Sequence, residues 1–116
     1  MLYHKSLKNF PQCIREVPER TVNLVYTNHA INEAKADRYC RLLQGDIQLP
    51  KSITFSSKNI IEVEIIDGTL IKAVIRTAYN STYDLCLVIT SDNFVKTVWL
   101  NSKYDKHYTL DLSKYA

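Results

Sequence analysis

The sequence predicts an α+β domain: an N-terminal helix or helices packed on a four- to five-stranded antiparallel β-meander. Three observations carry that expectation. Apolar residues recur at helical spacing after Thr27, the period changes to two after Pro50, and turn-forming residues then punctuate the chain at hairpin intervals. At 116 residues and 13.4 kDa the chain is read as a single domain spanning 1–116.

Residues 1–20 read as irregular or short helical, with Pro11 and Pro18 as breakers and a short helix allowed from Pro11 to Val17. The segment Val22 to Tyr26 reads as a short strand or as the approach to a helix. The main helix is expected over 27–44. Thr27 or Asn28 can cap it, and Ala30, Ile31, Ala34, Arg38, Arg41 and Leu42 keep its spacing, with Gly45 as the C-cap. Residues 53–112 are expected to form the antiparallel sheet. Its four main strands are Asn59 to Ile66, Leu70 to Tyr79, Leu85 to Thr90 and Phe94 to Leu100, with Ile53 to Phe55 as a candidate strand and His107 to Leu112 as a candidate last edge. Asp67-Gly68 and Ser91-Asp92-Asn93 supply the hairpin turns.

The charge is mildly basic: 15 Lys and Arg against 12 Asp and Glu give +3, which permits a polyanionic partner without demanding one. Only two glycines occur and no GxGxxG or Walker pattern is present, so no nucleotide cofactor of those kinds is expected. Cys13, Cys40 and Cys86 lie at wide spacings without a CxxC, which argues against zinc and a disulfide framework and for a reducing compartment. His4, His29 and His107 also lack ligand-like spacing, and no metal or cofactor is expected. No signal-peptide core or membrane-length apolar run is present, so the expected location is the cytoplasm, with no membrane partner.

Three places hold residues suited to chemistry. His29 falls in the first helical turn, where free N–H groups and the helix dipole favour an anion, and Glu33 stands one turn later. The bland alternative is a capping or packing histidine. On Leu70 to Arg76, alternation sets Lys72 and Arg76 on one face, where two cations can clamp a phosphate or merely meet solvent. The third place is the end of the Phe94–Leu100 strand and the polar stretch after it. Lys96, Thr97, Trp99, Asn101, Lys103 and His107 supply stacking, hydrogen bonding, charge and acid–base capacity there, against the alternative of a plain polar loop.

His29-Ala30 opening a charged helix, followed by strands ending in Val95-Lys96-Thr97-Val98-Trp99, resembles small domains of the Barnase–EndoU–colicin–RelE superfamily, over about residues 22–112. That resemblance implies a metal-independent endoribonuclease, often toxin-like and in some cases carried by a phage or mobile element. RNA is then the substrate, cleaved by 2′-hydroxyl attack, with an immunity protein, antitoxin or host target as a further partner. It assigns His29 or His107 as base or acid, Arg76 with Lys96 or Lys103 as phosphate holders, Thr97 as a hydrogen-bond donor and Trp99 or a tyrosine as a stacking platform. The competing reading is a non-enzymatic binding module on the same scaffold. For that, eight tyrosines would form an exposed patch gripping a host protein or nucleic acid.

Overall fold

The computed structural model describes residues 1–36, 47–105, 113 and 115. Its elements are β1 (Leu2–His4), α1 (Gln12–Arg15), β2 (Arg20–Asn23), β3 (Val25–Tyr26), α2 (Asn28–Lys35), β4 (Ser52–Phe55), a 3-10 turn (Ser57–Asn59), β5 (Ile60–Ile66), β6 (Thr69–Ala78), β7 (Tyr83–Thr90) and β8 (Phe94–Ser102). Six strands form one sheet in the order β1-β5-β6-β7-β8-β3, and β2 pairs with β4 in a second, two-stranded sheet.

This overturns the expected architecture. Among the described residues sheet dominates, the helices are short, and the main sheet is mixed, because β3 runs parallel to β8 with Val25 opposite Phe94 and Tyr26 opposite Val95. Two physical causes explain the difference. The supposedly irregular N-terminus contributes β1, which pairs antiparallel with β5 through Leu2–Glu64, Tyr3–Val63 and His4–Glu62. The segment Ile53 to Phe55, expected to open the meander, instead pairs back with β2, where the Thr21 and Thr54 hydroxyls meet across the strands at 2.6 Å. The expected helix positions beyond Ala36, the Gly45 cap, Cys40 and the strand His107 to Leu112 lie outside the described residues.

The β5–β8 meander forms for the reasons read from the sequence. Asp67 (φ 50°) and Gly68 (φ 77°) both take positive φ, as a two-residue turn matched to the twist of its strands requires. Asn93 (φ 67°) closes the β7–β8 turn in the same region, its N–H donating to the Thr90 carbonyl at 3.0 Å. A Cβ on Gly68 would meet open space, so Gly68→Ala carries only the positive-φ penalty. A loss of about 1 kcal/mol is expected, read from the urea midpoint.

Alternation divides the main sheet into two faces. Ile75, Leu87 and Val98 lie opposite one another across β6, β7 and β8, each no more than 1% exposed, at the centre of the core face. Over them pack α1, through Ile14, the two-stranded sheet, through Ile53 and Phe55, and α2, through Ala30 and Ala34. The two alanines, one turn apart, let α2 lie close on β8. Thr27 caps that helix, its hydroxyl accepting the Ala30 N–H at 3.2 Å. The opposite face carries Arg76, Cys86 and Trp99 in one cross-strand row. Among the described residues no helix is long and apolar enough to cross a membrane.

Candidate functional site

At the Ala78 end of β6, on the face away from the core, an ionic cluster is built from three strands' worth of register. Asp84 on β7 stands two residues from Cys86, on the face that Arg76 shares. Arg76 Nε donates to one Asp84 oxygen and Lys103 Nζ to the other, both at 2.8 Å, and a terminal Arg76 nitrogen donates to the Ser102 carbonyl at 2.9 Å. Side-chain exposures of 14% for Arg76, 18% for Asp84 and 30% for Lys103 make this a sheltered cluster, more strongly coupled than a surface pair. Burial alone would raise the Asp84 carboxyl. The hydrogen bonds from Lys103 and Arg76 outweigh it and hold the group below the usual carboxylate range.

Around this cluster opens a cleft of about 460 Å³ lined by His4, Lys5, Lys58, Ile61, Arg76, Asp84 and Lys103. The β1–β5 pairing delivers His4 and Lys5, whose backbone N–H reaches the Ile61 carbonyl at 2.9 Å, and the 3-10 turn presents Lys58. Partial burial, and then the Arg76 guanidinium, hold the Lys5 ammonium below the ordinary lysine range. His4 is buried at 7% exposure. Its Nδ1 takes the Ser6 backbone N–H at 3.1 Å and lies 2.7 Å from the Ser6 hydroxyl, which assigns the ring proton to Nε2. The Tyr115 ring meets His4 edge-on at 5.2 Å, and its hydroxyl donates to Glu62 at 2.5 Å.

A second depression of about 310 Å³ shares Lys5 and Lys58 with this cleft and extends it to Arg15. The Arg15 guanidinium is fixed over the Phe10 ring and donates to the Lys5 and Leu7 carbonyls at 3.2 and 2.8 Å. The two depressions together make a groove lined by Arg15, Lys5, Lys58, Arg76 and Lys103, with Asp84 as the one carboxylate among the described lining residues.

Of the residues singled out in the sequence, Arg76 and Lys103 meet in this groove. Trp99 shares Arg76's row but stands two strands away, roughly 10 Å. Thr97, opposite Val88, and Lys72, opposite Thr90, share the face further along. Lys96 is the extra residue of a bulge between Val95 and Thr97 and is exposed. Asn101 is buried at 5%, and its amide donates to the Asp105 carbonyl at 3.2 Å, holding the chain as it leaves β8. His29 stands on α2, over the other face of the sheet, so it does not share the groove. It is 74% exposed, with Nε2 at 3.1 Å from Glu33 Oε1 but out of line for a hydrogen bond. His107 lies outside the described residues.

Sequence reasoning missed His4, Lys5, Lys58 and Asp84. The Lys5 and Lys58 charges were visible, but nothing local pairs residue 5 with residue 61. Cys86 is 2% exposed beneath this face, and burial pushes its thiol up to about 12, so it is an inert packing group. Among the described residues no three His, Cys, Asp or Glu side chains converge to hold a metal ion. Comparison of the chain with family models, curated proteins and solved structures finds no match.

Proposed function

We propose that the chain binds RNA by its phosphate backbone along the groove from Arg15 past Lys5 and Lys58 to Arg76 and Lys103. The observation that carries this reading is the groove itself: five cations in a continuous track, with one carboxylate already spent on two of them. A lone phosphate would need only the cleft, whereas successive phosphates of a strand suit a track. Tyr104 follows Lys103 in the chain, is 84% exposed, and offers a ring for a base to stack on.

Anisotropy of a labelled single-stranded RNA, titrated across salt concentrations, tests the reading. Lys58→Gln is expected to weaken binding about fivefold at ~0.1 M salt and to make the log–log salt slope shallower by about 0.7. His29→Ala, on the other side of the sheet, leaves both unchanged. RNA affinity and salt slope unaltered by Lys58→Gln would rule the groove out as the binding surface.

The second reading is cleavage, and Lys5 favours it. The superfamily resemblance suggests attack of the 2′-hydroxyl on the adjacent phosphate, releasing the 5′-oxygen. That step needs a proton acceptor, a proton donor and cations around the pentacoordinate phosphorus. Lys5 shares the cleft lining with Arg76, and partial burial followed by that guanidinium holds its ammonium below the ordinary lysine range, the direction a proton-exchanging group needs. RNA cleavage in EDTA that is lost in Lys5→Met, with binding reduced no more than in Lys58→Gln, is the expected result. Cleavage that survives Lys5→Met removes Lys5 from the chemistry.

A further inference from the structure

We infer that the protein has a second binding site, on the core side of the sheet, that takes a small amphipathic anion: a medium-length alkyl carboxylate with its tail between the two sheets and its head at Arg20. The site is an open pocket of about 290 Å³ whose floor includes Val63, Ala73, Ile75 and Ile89 of the main sheet, with Phe55 of β4 among its walls. That volume sits at the small end of the range for ligand pockets, and the lining is mostly apolar, as such pockets are.

Arg20 is the charged residue of the lining, and its position on β2 is unusual. Register sets Arg20 opposite Phe55 and Val22 opposite Ile53, so Arg20 shares the face of the two-stranded sheet whose other members are apolar, while its own side chain reaches solvent at the strand end. Its guanidinium carbon lies 5.4 Å from the centre of the Phe55 ring. At that distance the guanidinium is within cation–π range of the ring, a contact that uses none of its N–H donors in a hydrogen bond. No hydrogen bond or ion pair engages the Arg20 side chain among the described residues. A guanidinium fork at the edge of an apolar pocket matches a carboxylate carrying an alkyl tail, since the fork binds carboxylates bidentately and the pocket shields the tail from water. Serine and asparagine at positions 91 and 93, in the β7–β8 turn, also contribute to the lining and suit a wet mouth.

The site is separate from the RNA groove. Ile75 lines the pocket and Arg76 lines the groove, on opposite faces of one strand. That separation gives the test its control. Octanoate titrated into the protein, followed by amide chemical shifts, should move Ala73, Ile75 and Ile89 and leave Lys5 and Lys103 in place. Hexanoate should bind about tenfold more weakly, because two fewer methylenes are buried. Octanol should also bind about tenfold more weakly than octanoate, and Arg20→Met, which keeps an apolar stem over Phe55, should abolish that preference. Ala73→Leu fills the pocket and should prevent octanoate binding while the protein stays folded. The inference is overturned by shifts confined to the groove, by octanol binding as tightly as octanoate, by no response at millimolar octanoate, or by an undiminished preference in Arg20→Met.

Discussion

Replacing Asp84 with alanine is expected to cost about 3 kcal/mol of folding stability while strengthening RNA binding. The stability loss follows from what remains. Arg76, 14% exposed, and Lys103 both direct donors at the Asp84 oxygens at 2.8 Å, so removing the carboxylate takes from two sheltered cations the anion they share. Breaking one side of such a pair costs more than the pair contributes, because the remaining charge stays desolvated. Asp84→Asn should cost less, since its amide oxygen still accepts from one donor. The affinity gain has the opposite sign because the described lining of the groove then holds its cations with no carboxylate among them. Urea denaturation and RNA anisotropy on the same variant separate the two effects. A variant as stable as the parent would mean that water already screens the cluster. The pH dependence follows from the direction of the Asp84 shift. The folded carboxyl titrates below its unfolded value of about 3.9, so its contribution is complete above that pH and disappears as pH falls through the lower folded value. The stability gap between the parent and Asp84→Asn should therefore narrow over that acidic window and stay constant from pH 5 to 7.

The pattern of what the sequence disclosed follows contact distance along the chain. Alternation from Leu70 to Arg76, the Asp67-Gly68 turn and the Thr27 cap depend on neighbours, and the structure contains each of them. β1 is three residues long, too short for any period to register, yet it brings His4 and Lys5 to the cleft. The parallel pairing of β3 with β8 joins Val25 to Phe94, a contact that no local signal announces. Ile53 to Phe55 has the alternation of a strand, but alternation does not name a partner, and it pairs with β2 rather than joining the meander. The site follows the same logic. Arg76 was visible because alternation set it beside Lys72 on one face, and Lys103 because the chain turns polar after β8. Asn101 looked equally suited to a ligand, but its side chain is used on the Asp105 carbonyl. Lys58 carries no local mark at all, since its importance comes from a 3-10 turn placed next to a strand far away in sequence.

Leu87→Ala is expected to be the most destabilising of the single substitutions considered, at about 3–5 kcal/mol, with the urea midpoint falling and the slope unchanged. Leu87 has no solvent exposure and lies between Ile75 and Val98 on the core face. The cost of such a truncation depends on how far the surroundings can collapse into the space left. Here they are held on both sides, because β6 is tied to β7 by an unbroken ladder and β8 by one unbroken from Tyr83 to Val88, with the bulge only beyond it, and the spacing of such ladders cannot shrink. Val88→Ala, next in the chain but on the half-buried opposite face, should cost about 1 kcal/mol or less. The contrast between these neighbours measures how unequal the two faces are. It also bears on function, since Leu87 supports the face that carries the apolar pocket, while the cationic groove proposed to bind RNA lies on the reverse. If the sheet is a rigid partition, folded Leu87→Ala protein should bind RNA as the parent does, even with most of its stability margin gone. Reduced RNA affinity in that folded variant would show that the placement of Arg76 and Asp84 depends on core packing one residue away, and that the two faces act as one coupled unit.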